Sequence, residues 1–310
     1  MPINISRDLP AYKTLQDENI FVMASEKALT QDIRPLRAAI FNLMPKKIET
    51  ETQLLRLMSN TPIQVDITLL RTETHISRHT AAEHLDTFYK TFDEIKDEYF
   101  DALIITGAPV EKYDFRDVTY WDELCMIMEW SKSHAFSCMH ICWGAFAGLY
   151  YHYGIEKHNL DNKMFGVFPH KILVENHPLF KGFDDTFYVP HSRHSSVLAE
   201  DINACPKLEL LAYSDIAGVY AVADVTGRQI FLTGHGEYER NTLKGEYERD
   251  LGKGLSDVGL PYGYFPDDDP TKTPPYTWRT SASLLYSNWL NFCVYQETPF
   301  DISEIPPLVI

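Results

Sequence analysis

Two short stretches of the chain contain side chains that together could perform nucleophilic catalysis. The first, CMHICWGAF at residues 138–146, carries Cys142 close to several small residues. The second, FLTGHGEYE at residues 231–239, carries His235 and, two residues later, Glu237. In such a set the thiol is the nucleophile, the imidazole is the base that takes its proton, and the carboxylate orients the imidazole. The two stretches therefore predict attack of a thiol on a carbonyl carbon.

The residues around Cys142 predict a strand that delivers the thiol into a tight turn. The apolar segment AFSCMHIC at residues 135–142 is typical of a buried strand that ends at Cys142. Gly144 and Ala145 are small enough to let backbone approach the turn closely. The helix that follows would aim its free N–H groups, above all that of Trp143, at the oxyanion formed by the attack.

Two alternatives to a nucleophile remain open for Cys142. Cys138, His140 and Cys142 alternate along the predicted strand and would share one face, as metal ligands can. Structural zinc sites usually combine C-x-x-C pairs, and the chain has none, so we expect no metal. A buried core position is the second alternative, because free cysteine is among the most buried residue types.

Strand-like and helix-like segments alternate through the first half of the chain. Apolar strand-like segments cover residues 37–44, 63–70, 100–107 and 135–142. Helices are predicted between them, one of which would open with a Thr80–Glu83 capping box. That helix would carry an apolar stripe of Leu85, Phe88, Phe92 and Ile95. The alternation predicts an α/β fold with a doubly wound, mostly parallel sheet of the flavodoxin-like kind, whose ligand crevice lies beyond the carboxyl ends of the strands.

The second half of the chain has a different pattern. Beyond residue 150, short β-like segments follow one another closely, which predicts a mixed β extension of the sheet. A charged surface helix is expected at residues 237–251 and a closing amphipathic helix at 279–296, while the aspartates of residues 266–275 are expected in a solvated loop. We expect one domain over residues 36–300, preceded by a polar arm and followed by a tail at 301–310.

The bulk composition excludes several classes of function. The chain has 28 basic and 44 acidic residues, and its net charge of −16 disfavours nucleic acid and anionic membranes as partners. No stretch approaches the roughly 20 apolar residues that span a bilayer, and the amino terminus lacks a signal-peptide pattern. Five scattered cysteines fit reduced thiols rather than a disulfide framework. We therefore expect a cytoplasmic protein.

The motifs around the reactive residues resemble those of known proteins. A cysteine at a strand elbow with a distant His-x-Glu resembles class I glutamine amidotransferases, although their Gly-x-Cys-x-Gly and His-Pro-Glu motifs differ here. Together with NLMPKKIETETQLLRL, TGAPVE, YDFRDVTYW, HSRHS and GHGEYE, the chain resembles the homoserine O-acyltransferase family of methionine biosynthesis over nearly its whole length. That resemblance implies a class I glutamine amidotransferase-like fold.

The family resemblance also implies a reaction. Cys142 would accept the acyl group of an acyl-coenzyme A as a thioester, and His235, held by Glu237, would then deprotonate the hydroxyl of L-homoserine. Acyl-coenzyme A is a co-substrate in this scheme, and no cofactor is expected. The family further suggests a homodimer.

Further binding residues follow from the resemblance, position by position. Lys163 in DNKMFG, Ser192 in HSRHS and Arg249 in EYERD would bind the amino-acid substrate. Arginine suits a carboxylate because its guanidinium forms two parallel hydrogen bonds. Lys47, at a strand-to-helix junction, is expected to help stabilise the oxyanion.

The residue after TGAPV bears on the choice of acyl donor. In this family a glycine there accompanies succinyl-coenzyme A and a glutamate accompanies acetyl-coenzyme A, and this chain has Glu111. A succinyl carboxylate about 4 Å from that side chain would cost about 4 kcal/mol at an effective dielectric constant of 20. We therefore expect acetyl-coenzyme A as donor and O-acetyl-L-homoserine as product, with the succinyl donor as the alternative.

Other classes of function remain open at this point. A glutaminase would use the same three side chains, but it would need a synthetase domain or partner to receive ammonia, and the 310 residues suggest none. A non-catalytic, amidotransferase-like binding module would use the fold without the thiol. Transfer of an acetyl group to the protein from acetyl-coenzyme A alone would distinguish the enzyme from the module.

Overall fold

The computed structural model of the chain describes residues 3–5, 22–24, 34–59, 61–74, 80–254 and 258–310. Most of the predicted arm at residues 1–35 therefore lies outside the described residues. Within it, two short strands, β1 (Ile3–Ile5) and β2 (Val22–Ala24), pair in parallel. None of the described helices is both long and apolar enough to cross a bilayer.

A ten-stranded sheet forms the centre of the described fold. Its strands in chain order are β3 (Leu36–Phe41), β4 (Val65–Leu70), β5 (Tyr89–Lys90), β6 (Phe100–Ile105), β7 (Ala135–Ile141), β8 (His158–Ile172), β9 (Thr186–Ser196), β10 (Leu208–Ser214), β11 (Gly218–Asp224) and β12 (Gln229–Leu232). Their spatial order is β5-β4-β3-β6-β7-β12-β11-β10-β8-β9. Pairing is parallel from β5 to β12 and antiparallel from β12 to β9. The predicted mostly parallel sheet with a mixed extension is confirmed.

Helices connect the parallel strands and close the fold. They are α1 (Lys47–Met58), α2 (Ala82–Phe88), α3 (Phe92–Ile95), α4 (Trp121–His134), α5 (Trp143–Tyr153), α6 (Ala199–Ala204), α7 (Thr242–Gly252) and α8 (Arg279–Asn288). The predicted closing helix consists of α8 and a π-helical continuation over Trp289–Tyr295. The chain end also packs on this body, because the Leu308 N–H donates to the Lys132 carbonyl oxygen at 2.7 Å.

The predicted single helix around residues 80–95 is wrong. Its expected Thr80–Glu83 capping box does not form, and α2 begins at Ala82 without a side-chain cap. The chain then extends into β5, whose residues pair with the edge of β4, before α3 starts at a capping box of Thr91 and Glu94. Local periodicity could not reveal this break, because it is produced by hydrogen bonds to a distant strand and by burial of Tyr89.

Apolar side chains cover both faces of the sheet. Alternate residues of each central strand enter opposite clusters, so that Cys138 lies in one and Met139 and Ile141 lie in the other. Such two-sided burial explains the continuous apolar segments of the sequence. The parallel pairing of β5 to β12 separately places the carboxyl ends of these strands along one edge of the sheet.

Candidate active site

Cys142 lies just beyond the carboxyl end of β7, in a strained turn. The strand ends at Ile141, one residue earlier than predicted, and Cys142 is the N-cap of α5 with φ = 51° and ψ = −116°. Positive φ is unfavourable for a residue with a Cβ, and such strain is typical of nucleophiles held at strand-to-helix elbows. The turn is fixed by the Cys142 N–H, which donates to the Leu232 carbonyl oxygen at 2.7 Å.

The same turn decides which face the thiol occupies. Strict alternation would place it beside Cys138 and His140, but Cys142 instead joins the cluster of Met139 and Ile141. His140 is fully buried against α5, and its Nε2 atom bonds the Gln229 amide oxygen at 2.8 Å. The expectation that three potential metal ligands would share one face is therefore wrong for Cys142.

A glycine at the start of α5 allows the helix to approach the sheet. A Cβ atom on Gly144 would lie 2.6 Å from the Thr106 carbonyl oxygen and 2.8 Å from that of Ile105. These distances are far below van der Waals contact. The small residue expected after the cysteine is thus required by the packing of α5 on β6.

His235 reaches the same edge of the sheet from the neighbouring strand. Because β12 pairs in parallel with β7, the loop after β12 emerges beside Cys142. The His235 N–H donates to the Pro190 carbonyl oxygen at 2.8 Å, and its Nδ1 atom lies 2.6 Å from Glu237 Oε1. The carboxylate therefore orients the ring and leaves Nε2 for the thiol.

The thiol and the imidazole meet above Gly107. A Cβ atom on Gly107 would lie 3.2 Å from the Cys142 Cβ atom and 3.6 Å from His235 Cε1. Burial disfavours a charged His235, but the negative charges of Cys142 and Glu237, and hydrogen bonds to both, raise its pKa well above the usual value. The arrangement is suited to a thiolate–imidazolium pair.

The two predicted oxyanion residues differ in their surroundings. Trp143 is the first residue of α5, and the helix itself leaves such an N–H without an acceptor. Lys47 is buried at the start of α1, and its ammonium group donates to the carbonyl oxygens of Asn42 and Met44. Burial lowers the pKa of Lys47 to about 8.

Glu111 follows β6 in the loop that begins at Gly107. Its Oε2 atom accepts the His194 N–H at 2.8 Å. Burial raises the pKa of this carboxyl, although the hydrogen bond and the positive charges of His235, Lys163 and Arg193 act against the rise. The side chain is thus turned toward the site rather than toward solvent.

The three predicted substrate-binding residues come together around two carboxylates. Lys163 on β8 lies 3.1 Å from Asp250 and 3.6 Å from Glu246. Ser192 on β9 donates to Glu246 at 2.5 Å, and Arg249 on α7 donates to Asp250 at 2.8 Å. Hydrogen bonds from Arg249 and Lys163 lower the pKa of Asp250 against the opposing effect of burial.

Comparison with known proteins assigns the family. Residues 2–300 match the family model described as homoserine O-succinyltransferase. The chain belongs to this family.

Curated members carry a more specific name. A protein named homoserine O-acetyltransferase from Acetivibrio thermocellus is 60% identical over 305 residues, covering 98% of this chain and 100% of that protein. A protein of the same name from Clostridium botulinum is 58% identical and covers 98% of this chain and 99% of that protein.

Two solved structures are similar in fold to this member of the homoserine O-succinyltransferase family. A glutamine amidotransferase from Thermotoga maritima superposes with a TM-score of 0.55 at 12% identity, covering 84% of this chain and 99% of that one. A glutamine amidotransferase from Methylobacillus flagellatus gives 0.53 at 13% identity, covering 84% and 95%. The amidotransferase-like fold implied by the sequence motifs is confirmed.

Two residues that the sequence did not single out connect the predicted substrate-binding set to His235. The Tyr238 ring stacks on the His235 imidazole with centroids 4.2 Å apart, and its hydroxyl donates to Glu246 Oε1 at 2.9 Å. Glu246 therefore links Tyr238 to Ser192 through its two carboxylate oxygens. The spacing of Glu246, Arg249 and Asp250 at i, i+3 and i+4 on a helix would have indicated this shared face.

A buried cation close to the site was also missed. Arg193 is fully buried on β9, and the described partners of its guanidinium are all neutral. Its guanidinium donates to His191 Nδ1 at 3.2 Å and to the Ser195 carbonyl oxygen at 2.6 Å. Burial lowers its pKa to about 10, while the negative charges of Cys142 and Glu111 oppose that change.

No group of three or more His, Cys, Asp or Glu side chains suited to a metal ion occurs in the described part of the chain. The aspartates of the 266–275 loop make local contacts instead. Asp267 bonds Lys272 at 2.6 Å, and Asp269 accepts the Thr271 N–H at 2.9 Å.

Proposed function

We propose that the protein transfers the acetyl group of acetyl-coenzyme A to the hydroxyl of L-homoserine and forms O-acetyl-L-homoserine. The observation that carries the proposal is the pairing of Cys142 with the Glu237-oriented His235 in a chain of this family. The names of its relatives favour the acetyl donor. We infer one catalytic domain over residues 36–300.

The reaction proceeds by two acyl transfers. The Cys142 sulfur attacks the thioester carbonyl carbon, the carbon–sulfur bond to coenzyme A breaks, and His235 gives its proton to the leaving thiolate. His235 then takes the proton of the homoserine hydroxyl, whose oxygen attacks the acetyl carbon and releases Cys142 as the thiolate. We assign oxyanion stabilisation to the Trp143 N–H, because Trp143 directly follows Cys142 and the helix leaves this N–H without an acceptor. The Lys47 ammonium uses two of its three N–H donors on main-chain carbonyl oxygens, so it can contribute at most one hydrogen bond.

The carboxylate pair of α7 suits recognition of an amino acid. Lys163 and Arg249 carry positive charges that can receive the substrate carboxylate. Neither they nor Ser192 can neutralise its ammonium group, whereas Glu246 lies among them with hydrogen bonds from Ser192 and Tyr238. We infer that Glu246 accepts the homoserine ammonium and that Tyr238 places it relative to His235.

The Glu246→Gln substitution is expected to raise the KM for homoserine roughly 10- to 100-fold, because it replaces a charge-assisted hydrogen bond by a neutral one. Acetylation of Cys142 by the donor should proceed as in the wild type. Steady-state kinetics and intact mass measure the two effects. The matched control is Glu248→Gln on the same helix, whose side chain is 62% exposed. An unchanged KM for homoserine in Glu246→Gln would contradict the assignment.

The Glu111→Gly substitution tests the choice of donor. The wild type is expected to prefer acetyl-coenzyme A, and the variant should gain about tenfold or more in kcat/KM for succinyl-coenzyme A, because two carboxylates no longer repel each other. The repulsion requires an ionised Glu111, and burial raises the pKa of this carboxyl. The preference of the wild type for acetyl- over succinyl-coenzyme A should therefore weaken as the pH falls through that pKa.

The Glu111→Gln substitution distinguishes the effect of the side chain's charge from the effect of its volume. It removes the charge, keeps nearly the same volume and retains an oxygen that can accept the His194 N–H. We expect it to accept succinyl-coenzyme A better than the wild type but less well than Glu111→Gly. A wild type that prefers succinyl-coenzyme A would overturn the proposed donor.

A further inference from the structure

The carboxylate of Glu111 lies against a main-chain donor of β9, the His194 N–H. We propose that this donor belongs to a receptor for a carboxylate at the end of an acyl chain, and that Glu111 fills the receptor in this chain. The inference rests on the proposed function and deepens it. It identifies what a dicarboxylic acyl group, such as succinyl, would bind if the residue at position 111 had no side chain.

The outer edge of β9 supplies the donor. β9 is the last strand of the ten-stranded sheet, so main-chain groups on its outer side do not pair with another strand of that sheet. Such groups point to the same side at every second residue. The Pro190 carbonyl oxygen accepts the His235 N–H at 2.8 Å, and the His194 N–H donates to Glu111 Oε2 at 2.8 Å. One strand edge therefore contacts the loop of the proposed base and the residue that bears on the acyl donor.

The charges around this edge suit a carboxylate, whether it belongs to the protein or to a substrate. Burial raises the pKa of Glu111, and the hydrogen bond from His194 opposes that rise. The positive charges of His235, Lys163 and Arg193 oppose it too. The described partners of the Arg193 guanidinium are neutral, so none of them offsets its charge. These stabilising groups lie outside residue 111 and would remain after its replacement.

Loss of the Glu111 side chain would leave both a donor and a space. The His194 N–H would lose its acceptor, and an unpaired donor in a partly buried place is unfavourable. Glutamate exceeds glycine by two methylene groups and a carboxylate, whereas succinyl exceeds acetyl by one methylene group and a carboxylate. The succinyl end therefore needs no more volume than Glu111 vacates, and it can restore the same charge-assisted hydrogen bond.

The Glu111→Gly variant is tested with two donors that differ in charge but hardly in size. Succinyl-coenzyme A ends in a carboxylate, and 3-carbamoylpropanoyl-coenzyme A carries a neutral amide in the same place. A carboxylate receptor should give succinyl-coenzyme A a kcat/KM about tenfold or more above that of the amide donor. Relief of repulsion alone would give the two donors similar values, because nothing in the variant would then prefer the charged end.

Formate provides a second measurement on the same variant. It is a small carboxylate that the open receptor should hold, so it should lower the kcat/KM for succinyl-coenzyme A severalfold. The kcat/KM for acetyl-coenzyme A should change little, because the acetyl group does not reach the receptor. Potassium chloride at the same ionic strength is the control. Glu111→Gln, whose side-chain oxygen can still accept the His194 N–H, should reduce both the preference for the charged donor and the sensitivity to formate.

Asp117→Gly is the matched control, because Asp117 is an exposed acidic residue further along the same loop. It should keep the donor preference of the wild type. Glu111→Ala also leaves the His194 N–H without its acceptor and should rank the two donors as Glu111→Gly does. Similar kcat/KM values for both donors in the glycine and alanine variants, or succinyl transfer that is insensitive to formate, would overturn the receptor and leave the acyltransferase proposal intact. A wild type that acylates homoserine from no coenzyme A thioester would instead refute the proposed function.

Discussion

Replacement of Cys142 by alanine is expected to reduce kcat/KM for homoserine acetylation about 10⁴-fold or more, because covalent catalysis loses its nucleophile. The same change should abolish the acyl-enzyme. Intact mass spectrometry after incubation with acetyl-coenzyme A alone should show one added acetyl group in the wild type and none in the variant. The backbone at Cys142 has a φ of 51°, and alanine, which also carries a Cβ atom, would adopt it at a similar cost.

Cys205→Ala is the control for this experiment, because Cys205 is a free thiol outside the site. It should retain both the adduct and the activity. An adduct that persists in Cys142→Ala would assign the nucleophile to another residue. Homoserine acetylation by a wild type that never forms an adduct would indicate direct transfer between the two substrates.

Substitution of His235 by asparagine is expected to lower kcat/KM roughly 10⁴-fold, because both acyl transfers lose their proton carrier. The substitution also removes the imidazolium that faces Cys142, whose presence is indicated by the raised pKa of His235. The thiolate then loses its counter-ion. Alkylation by iodoacetamide, measured against pH, should therefore require a higher pH in the variant than in the wild type.

His134→Asn provides the comparison, since His134 lies at the opposite end of β7 and stacks on Trp130 and Tyr99. The pH profile of iodoacetamide alkylation and the activity of His134→Asn should match those of the wild type. An alkylation profile that is identical in His235→Asn and the wild type would show that the imidazole does not support the thiolate.

Several features of the molecule were predictable because they depend on local pattern and simple topology. Alternating apolar segments indicated a parallel sheet, and parallel strands carry their carboxyl ends to one edge. That rule placed Cys142 and His235 at the same edge, although 93 residues separate them in the chain. The spacing of His235 and Glu237 likewise predicted a contact that the structure places at 2.6 Å.

Other features required the packing of distant segments. The break between α2 and α3 is produced by pairing of β5 with β4, and the face occupied by Cys142 is set by the positive φ of its turn. Glu246 meets Ser192 and Tyr238 only because α7 packs on the β8–β9 hairpin.

The sequence by itself determined the fold class and the family, and it singled out the three side chains of the proposed catalytic set. Only the tertiary structure showed that Lys163 and Arg249, the cations predicted to bind the substrate, contact two carboxylates and that Lys47 donates to main-chain carbonyl oxygens. The reason is physical. The positions of strands and helices along the chain follow from short-range periodicity. The partner of a polar side chain depends instead on which loops and helices come within hydrogen-bond distance when the separate segments pack together.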